Sequence, residues 1–335
     1  MIRVGIIGCG YWGPNLVRNF NQFSDSRAQA CCDLNDSRLE HMRMFYPGIE
    51  TTNDYKELLK DPSIDAVCIS TPIRTHYSIV KESLLSGKHV LVEKPMACST
   101  KEAKDLIELA KRGDRVLMAG HTFLYAPAIN KMKKIIESGD IGEVYYISSS
   151  RLNLGLFQQD INVVWDLAPH DLSIVNYLLS EEAVAVRATG FSHICKGIED
   201  VAFLICEYPK GVIAHFHVSW LDPCKVRRLV VVGSKKMIVY DDLDPEEPLK
   251  IYDKGITKQP YYDTFGEFKL LYRHGDTHSP RVSNDEPLKL ECMDFLESIK
   301  SKGSPRSGGE SGLAVVKVLE AAQRSLENKG RTEKI

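Results

Sequence analysis

The sequence predicts an α/β protein of two domains: a doubly wound parallel sheet with helices, then an α+β domain on an open, mostly antiparallel sheet. Three observations support this prediction. The chain has 335 residues, more than one hydrophobic core usually organises. Over the first 120 residues, short β-branched runs alternate with amphipathic stretches, whereas after about residue 140 strands follow one another. We therefore expect domains at residues 1–120 and 121–335.

The N-terminal elements alternate in the order that a parallel sheet requires. Predicted strands lie at 3–7, 28–32, 66–70, 89–92 and 116–119. Apolar residues have helical spacing between them, at 15–23, 37–45, 55–59, 75–85 and 100–112. Ser99 or Thr100 is expected to cap the helix at 100–112, because a hydroxyl there accepts a hydrogen bond from an exposed backbone N–H.

The C-terminal half is mainly a series of strands. They are predicted at 144–150, 184–191, 202–208, 212–219, 227–232 and 237–240. Helical patterns interrupt the series at 128–137, 170–179, 288–300 and 313–326. The segment 209–211 (PKG) predicts a hairpin between two of the strands.

Composition and charge exclude several classes of protein. An apolar fraction of 43% and a charged fraction of 26% are typical of folded chains, not of disordered ones. The formal charge is −2 and no basic stripe occurs, so we expect no nucleic-acid partner. The first apolar run, 4–9, is too short for a membrane span or signal peptide. A cytoplasmic protein without a membrane partner is expected.

Cysteine and histidine spacing argues against a bound metal. The nine cysteines include no Cys-x-x-Cys pair. His215 and His217 alternate on a predicted strand, and residues 274–278 are expected to form a loop that carries two further histidines. Neither pair has the third ligand that a catalytic zinc requires, so we expect no metal.

A glycine-rich motif at 8–13 (GCGYWG) follows the first predicted strand and opens the first helix. Gly8 permits a tight turn, Gly10 leaves room for a pyrophosphate, and Gly13 lets the helix approach the sheet. The helix N-terminus then faces the phosphates of a dinucleotide. The candidate cofactor contacts in this motif are Gly8, Gly10, Tyr11, Trp12 and Gly13.

Asp33 is the candidate acidic partner of this motif. It lies twenty residues beyond Gly13, at the end of the second predicted strand, where a carboxylate accepts both ribose hydroxyls. The alternative is that Asp33 caps the helix that starts near Ser37. A carboxylate repels a 2′-phosphate and favours NAD over NADP, whereas Arg38 can stack on adenine or pair with that phosphate. We expect NAD.

Three further segments extend the pattern: 93–95 (EKP) after a strand, 70–72 (STP) followed by His76, and 166–170 (DLAPH). With the glycine motif, they resemble the glucose-fructose oxidoreductase, inositol dehydrogenase and rhizopine catabolism (Gfo/Idh/MocA) family over essentially the whole chain. The resemblance implies a Rossmann domain and an NAD(P)-dependent oxidoreductase acting on CH–OH groups. It also implies cofactor contacts from Arg38, Ser70, Thr71, Pro72, His76, Glu93, Lys94 and His121.

Oxidation of a secondary alcohol requires removal of the hydroxyl proton while a hydride leaves the same carbon. His170 suits the role of base, because histidine titrates near neutral pH, and Asp166 can orient its ring or hold the substrate. The resemblance implies that Lys94 supplies positive charge to the alkoxide. The alternative is that Asp166 and His170 cap a helix that begins near Pro169, with Asp171 sharing that role.

The substrate contacts depart from the family pattern. Many relatives have paired arginines after the sixth strand, where this chain has 120–127 (GHTFLYAP). Arg151 and Asn153, which follow a predicted strand, are therefore the candidates for holding a diphosphate or sugar hydroxyls. The complete set of candidate substrate contacts is Lys94, Tyr125, Arg151, Asn153, Asp166 and His170.

The segments 286–288 and 315–322 are similar to family members that act on sugar nucleotides. The resemblance implies oxidation of a sugar-nucleotide alcohol, the 3-hydroxyl of UDP-N-acetylglucosamine, ahead of an aminotransferase in cell-surface polysaccharide or lipid A biosynthesis. Alternatives are an NADPH-dependent 3-ketoreductase of a deoxysugar nucleotide and a polyol or hexose dehydrogenase. A non-enzymatic nucleotide sensor is disfavoured, because the catalytic candidates are all present. The open sheet predicts a homodimer or homotetramer.

Overall fold

The computed structural model of the protein describes residues 1–155, 157–258 and 270–335. The chain divides into two compact units, one of residues 1–125 and 285–320 and the other of residues 126–284 and 321–335. The predicted domain boundary near residue 120 is close to the observed change from the first unit to the second, between residues 125 and 126. The segment 285–320, expected in the second domain, belongs to the first unit. Its Phe295 contacts Phe20, with ring centroids 6.4 Å apart.

The first unit contains a six-stranded parallel sheet. Its strands are β1 Ile2–Ile7, β2 Ser26–Cys32, β3 Glu50–Thr52, β4 Ala66–Ile69, β5 His89–Glu93 and β6 Leu117–Gly120. Its helices before residue 125 are α1 Gly13–Phe20, α2 Asp36–Phe45, α3 Tyr55–Lys60, α4 His76–Leu85 and α5 Thr100–Gly113, with 3₁₀ turns at Ile73–Thr75 and Thr122–Tyr125. The strand order β3-β2-β1-β4-β5-β6 is that of a Rossmann domain, as expected.

Local sequence accounts for much of this domain. The strands are apolar on both faces because helices cover both sides of the sheet, and the whole of β4 is buried. Ser99 caps α5, since its Oγ accepts a hydrogen bond from the N–H of Glu102 at 3.2 Å. Asn35, not Asp33, caps α2, because its side chain accepts from the N–H of Ser37. The alternative role considered for Asp33 is therefore wrong.

The second unit contains α6 Pro127–Glu137, α7 Val163–Leu179 and a nine-stranded sheet. The strands are β7 Val144–Leu152, β8 Ala185–Phe191, β9 Val201–Glu207, β10 Ile213–Ser219, β11 Val226–Gly233, β12 Met237–Asp241, β13 Leu249–Lys258, β14 Leu270–His278 and β15 Glu333–Lys334. In the sheet order β14-β13-β12-β11-β7-β10-β9-β8-β15, only β7 and β10 are paired in parallel among the described strands. The predicted mostly antiparallel sheet is confirmed. The chain also forms α8 Pro287–Ser301 and α9 Gly309–Glu327.

Two predictions in this half are wrong. Helix α7 begins at Val163 and is capped by Asn162, so Asp166 and His170 lie inside the helix and do not cap it. Residues 274–278 belong to β14, not to a loop, because their backbone pairs with β13. The sequence did not predict four strands of the two sheets: β3 and β15, which have only three and two residues, and β13 and β14.

The predicted hairpin at Pro209–Gly211 is confirmed. It joins the antiparallel strands β9 and β10, and Lys210 and Gly211 have positive φ values of 62° and 78°. Within the described ranges, no helix has both the length and the apolar character that a membrane crossing demands.

Candidate active site

The glycine loop after β1 has the conformation that its residues predict. Gly8 has a φ of 97°, and a Cβ there would lie 2.7 Å from the carbonyl oxygen of Ser70. A side chain at Gly13 would collide with the carbonyl oxygen of Gly8. At Gly10 the nearest atom to an added Cβ is Arg38 Nη1, at 3.9 Å, so the backbone there is accessible to a ligand.

Tyr11, Trp12 and Ser70 lie close to Gly10 along the chain or bond to the glycine loop. Tyr11 is highly exposed, and its ring lies edge-on to that of Trp12 at 5.5 Å between centroids. Trp12 immediately precedes α1. The Ser70 hydroxyl donates to the carbonyl oxygen of Gly8 at 2.7 Å, which ties the end of β4 to the loop.

Asp33 lies at the carboxyl end of β2 beside the glycine loop. Its Oδ2 accepts a hydrogen bond from the N–H of Cys9 at 2.7 Å, and its Oδ1 accepts from the N–H of Asn35 at 2.9 Å. Arg38 Nη1 lies 3.4 Å from Oδ2. The carboxylate is therefore oriented by two backbone N–H groups, one from the glycine loop and one from the start of α2, and a guanidinium lies close to it.

The turns after β4 and β5 are connected through His76. Its Nδ1 lies 2.8 Å from the carbonyl oxygen of Pro95, and its Nε2 lies 2.8 Å from that of Thr71. Burial lowers the pKa of His76. Both ring nitrogens face carbonyl oxygens of the protein, so His76 connects the two turns, and the cofactor contact expected of it stays a prediction. Pro72 begins the same turn, and the Lys94–Pro95 bond is cis.

Glu93, Lys94 and His121 follow β5 and β6. Burial raises the pKa of Glu93 to about 7. Burial, together with the positive charge of Lys94, lowers the pKa of His121 to about 4. Neither ring nitrogen of His121 has a hydrogen-bond partner in the described part of the chain, nor does Glu93 Oε1. These groups are ionisable, buried and close to Lys94.

Glu291 of α8 completes this buried group and was missed by sequence reasoning. It accepts a hydrogen bond from the Thr122 hydroxyl at 2.8 Å. Burial raises its pKa, and the charge of Glu93 raises it further. No local motif marks Glu291, because its partners lie far away along the chain.

Tyr125 does not have the role that was predicted for it. Its hydroxyl donates to Asp294 Oδ2 at 2.7 Å and lies 3.1 Å from Ser307 Oγ. Burial raises the pKa of this hydroxyl, and the Arg306 guanidinium lies 5.0 Å from the ring centroid. The expected substrate contact is therefore corrected, because the hydroxyl is buried and already bonded within the first unit.

Helix α7 of the second unit carries Asp166 and His170. The two residues are four positions apart in one continuous helix, so their side chains lie on the same face. Asp166 Oδ2 accepts a hydrogen bond from the indole Nε1 of Trp220 at 3.0 Å. The His170 carbonyl oxygen accepts from the Ser173 hydroxyl at 2.8 Å. The predicted pair is thus on one surface of one element.

Arg151, the candidate for holding a diphosphate or sugar hydroxyls, is buried. Its Nε donates to Asp171 Oδ2 at 2.7 Å, and its Nη2 donates to Asp171 Oδ1 at 3.0 Å. Arg151 is only 6% exposed. The inward position of Arg151 at the end of β7 directs Nε and Nη2 to Asp171 of α7, so these two donors are already used within the second unit.

Asn153 remains a candidate for substrate contact. Its Oδ1 is buried and has no hydrogen-bond partner among the residues described. A Cβ at Gly155 would lie 2.8 Å from this oxygen and 3.0 Å from Cδ1 of Trp220. The amide oxygen and the indole therefore border the same position, and Trp220 and Asp171 join Glu291 as residues that sequence reasoning missed.

The histidines considered as metal ligands have other neighbours. His217 stacks on Phe203 with ring centroids 4.3 Å apart, and His215 lies 6.4 Å from the same ring. Across residues 1–155, 157–258 and 270–335, no group of three or more His, Cys, Asp and Glu side chains could hold a metal ion.

Two family models match the chain. A model of an oxidoreductase family with an NAD-binding Rossmann fold matches residues 2–121, and a GFO/IDH/MocA C-terminal domain model matches residues 129–239. Myo-inositol 2-dehydrogenase of Thermotoga maritima is 25% identical, with 98% of this chain and 97% of the relative covered. UDP-N-acetylglucosamine 3-dehydrogenase of Acidithiobacillus ferrooxidans is 28% identical over 94% of each chain. A solved structure of the latter enzyme has a TM-score of 0.80 and 26% identity, covering 98% of both chains.

Proposed function

The chain belongs to the GFO/IDH/MocA oxidoreductase family, and we propose that it oxidises a secondary alcohol of a sugar nucleotide with NAD. The proposed reaction converts the 3-hydroxyl of UDP-N-acetylglucosamine to a ketone, ahead of an aminotransferase. The observation that carries the proposal is the placement of Asp166 and His170 on one face of α7. This arrangement gives one face of the helix a base that can accept the proton of a substrate hydroxyl, His170, and a carboxylate that can hold that substrate or orient the His170 ring, Asp166.

The glycine loop fits a dinucleotide. Side chains are excluded at Gly8 and Gly13 by backbone atoms, while the backbone at Gly10 is open toward Arg38. Asp33, oriented by the N–H of Cys9, is proposed to accept the ribose hydroxyls, which favours NAD. When bound, the nicotinamide supplies the hydride acceptor.

The residues of this chain are proposed to manage the proton and the developing charge. His170 accepts the proton of the substrate hydroxyl, and Asp166 holds the substrate or orients the His170 ring. Lys94, directly after β5, stabilises the alkoxide by its positive charge. The oxidised carbon then carries a carbonyl group, and the proton passes from His170 to solvent.

The substrate assignment rests on a relative named UDP-N-acetylglucosamine 3-dehydrogenase, 28% identical to this chain. A polyol or inositol is the second candidate, and a specific observation favours it. Arg151, the expected diphosphate anchor, is bonded to Asp171, and a relative of 25% identity is named myo-inositol 2-dehydrogenase. The guanidinium of Arg38 beside Asp33 likewise keeps an NADPH-dependent reductase as an alternative.

A substrate panel tests the proposal. The purified protein is incubated with NAD or NADP and with UDP-N-acetylglucosamine, UDP-N-acetylgalactosamine, dTDP-glucose, N-acetylglucosamine or myo-inositol, and reduced cofactor is followed by absorbance. We expect NADH with a UDP-sugar and little with the free sugars. Reaction with myo-inositol alone would favour the second candidate. The cytoplasmic location and the homodimer or homotetramer expected from the sequence belong to the same proposal.

A further inference from the structure

We propose that Trp220 is a positioning residue for Asp166, and that its indole N–H sets the direction in which the Asp166 carboxylate faces from helix α7. This inference rests on the proposed function, in which Asp166 holds the substrate or orients His170. Trp220 itself is not proposed to contact the reacting atoms. It acts through the carboxylate.

The central contact is a hydrogen bond between a buried donor and a carboxylate. Trp220 Nε1 donates to Asp166 Oδ2 at 3.0 Å, and Trp220 is 1% exposed. An indole N–H can only donate, and when buried it requires an acceptor. The bond therefore restricts the rotation of the Asp166 side chain.

The backbone of Trp220 is held from two sides, so its indole has little freedom. Its N–H donates to the carbonyl oxygen of Asp200 at 2.9 Å, and its carbonyl oxygen accepts from the N–H of Gly155 at 3.0 Å. The ring contacts Phe157, with centroids 5.4 Å apart. A donor attached to a fixed ring and a fixed backbone points in one direction, and Asp166 lies in that direction.

Gly155 is the residue that lets the ring occupy this position. A Cβ at residue 155 would lie 3.0 Å from Trp220 Cδ1, the ring atom bonded to Nε1. The same Cβ would lie 2.8 Å from Asn153 Oδ1, which has no hydrogen-bond partner among the described residues. An alanine at this position would push against the donor side of the indole.

A purely structural tryptophan makes a different prediction from a positioning one. Loss of a structural contact lowers stability but leaves the rate per folded molecule unchanged. Loss of a positioning contact lowers kcat, because the carboxylate no longer holds the productive geometry. The affinity for NAD should not change, because the proposed cofactor contacts are elsewhere in the sequence.

The kinetic test compares three substitutions. Trp220→Phe removes the indole N–H and retains an aromatic ring. Trp165→Phe makes the same change at the residue next to Asp166 on α7. Phe157→Leu removes the ring that contacts Trp220 but leaves the Trp220 N–H in place. With UDP-N-acetylglucosamine, or the panel member that reacts fastest, we expect Trp220→Phe to lower kcat about tenfold or more. We expect the other two variants to remain within about threefold of the parent, with NADH affinity unchanged in all. Equal losses in Trp220→Phe and Trp165→Phe would overturn the proposal.

A second measurement requires no substrate. The chain has three tryptophans, so its ¹H–¹⁵N spectrum contains three indole signals, and Trp220→Phe identifies one of them by its loss. We expect that signal to shift and to exchange faster with solvent in Asp166→Ala, while the Trp12 signal does not. An unchanged Trp220 signal would refute the positioning role whatever the substrate is. Failure of every panel substrate with the parent protein would instead refute the proposed function alone.

Discussion

The guanidinium of Arg151 and the carboxylate of Asp171 form a buried ion pair through two parallel hydrogen bonds, at 2.7 Å and 3.0 Å. Asp171 follows His170 directly in α7, so the pair joins the end of β7 to the helix that carries the proposed base. A bidentate pair of this kind sets both the distance and the orientation of its partners. Its main effect is therefore on the position of α7.

The first prediction concerns stability. Arg151→Met should lower the free energy of unfolding by roughly 3–5 kcal/mol, because it leaves the Asp171 carboxylate buried and unpaired. Denaturant unfolding measures this loss. The matched double variant Arg151→Met with Asp171→Leu should recover most of it, since both charges are then removed.

The kinetics of Arg151→Met separate this account from the sequence-based expectation of a diphosphate anchor. If Arg151→Met is as stable as the parent but binds UDP-sugars about tenfold more weakly, the buried pair is not the main role of Arg151. A diphosphate contact would then be the better assignment.

The second prediction concerns the choice of cofactor. The parent protein should bind NAD more tightly than NADP, because the proposed role of Asp33 is to accept the ribose hydroxyls, and a carboxylate there repels a 2′-phosphate. Asp33→Ala should weaken NAD binding by about tenfold and so reduce the difference in affinity between NAD and NADP. Calorimetry measures both affinities. Asn35→Ala, which removes the cap of α2 but leaves Asp33, is the control and should preserve the ratio. Tighter binding of NADP by the parent would contradict the assignment.

The third prediction concerns pH and Glu93. Burial raises the pKa of Glu93 from 4.5 to about 7. A raised carboxyl pKa means that the folded state holds its proton longer than the unfolded state. The resulting contribution to stability is complete below about pH 4.5 and is lost as the pH rises through 7.

Glu93→Gln should remove this contribution, which is about 3 kcal/mol from the size of the shift. The difference in unfolding free energy between parent and variant, followed from pH 4.5 to 8, measures it. Glu108→Gln, at an exposed position of α5, is the control and should follow the parent. An identical pH dependence in Glu93→Gln and the parent would show that Glu93 ionises normally.

The sequence predicted those parts of the site that depend on residues close along the chain. The turn at Gly8, the acid Asp33 at the end of β2, and the spacing of Asp166 and His170 all follow from local pattern. The placement of Asp166 and His170 on one face required only the periodicity of a helix, although the start of α7 was predicted seven residues too late. Local pattern also predicted the type of both sheets, although β3, β13, β14 and β15 were not among the predicted strands.

The contacts that the sequence did not predict join residues far apart along the chain. Tyr125 bonds to Asp294, 169 residues away, and Trp220 bonds to Asp166, 54 residues away. Whether a polar side chain at a strand end faces a ligand or a buried partner depends on tertiary packing, which periodicity does not encode. The ion pair of Arg151 with Asp171, 20 residues away, was not predicted for the same reason.

The most direct test of the account is the rate of NADH formation by His170→Asn. The variant and the parent are mixed with NAD and UDP-N-acetylglucosamine, or with the panel substrate that the parent oxidises fastest, and absorbance is followed through the first turnover. The account predicts a rate roughly 100-fold or more below that of the parent, the usual cost of removing a general base, with NAD affinity unchanged. A first turnover as fast as the parent's would contradict it and would move the proton acceptor to another residue.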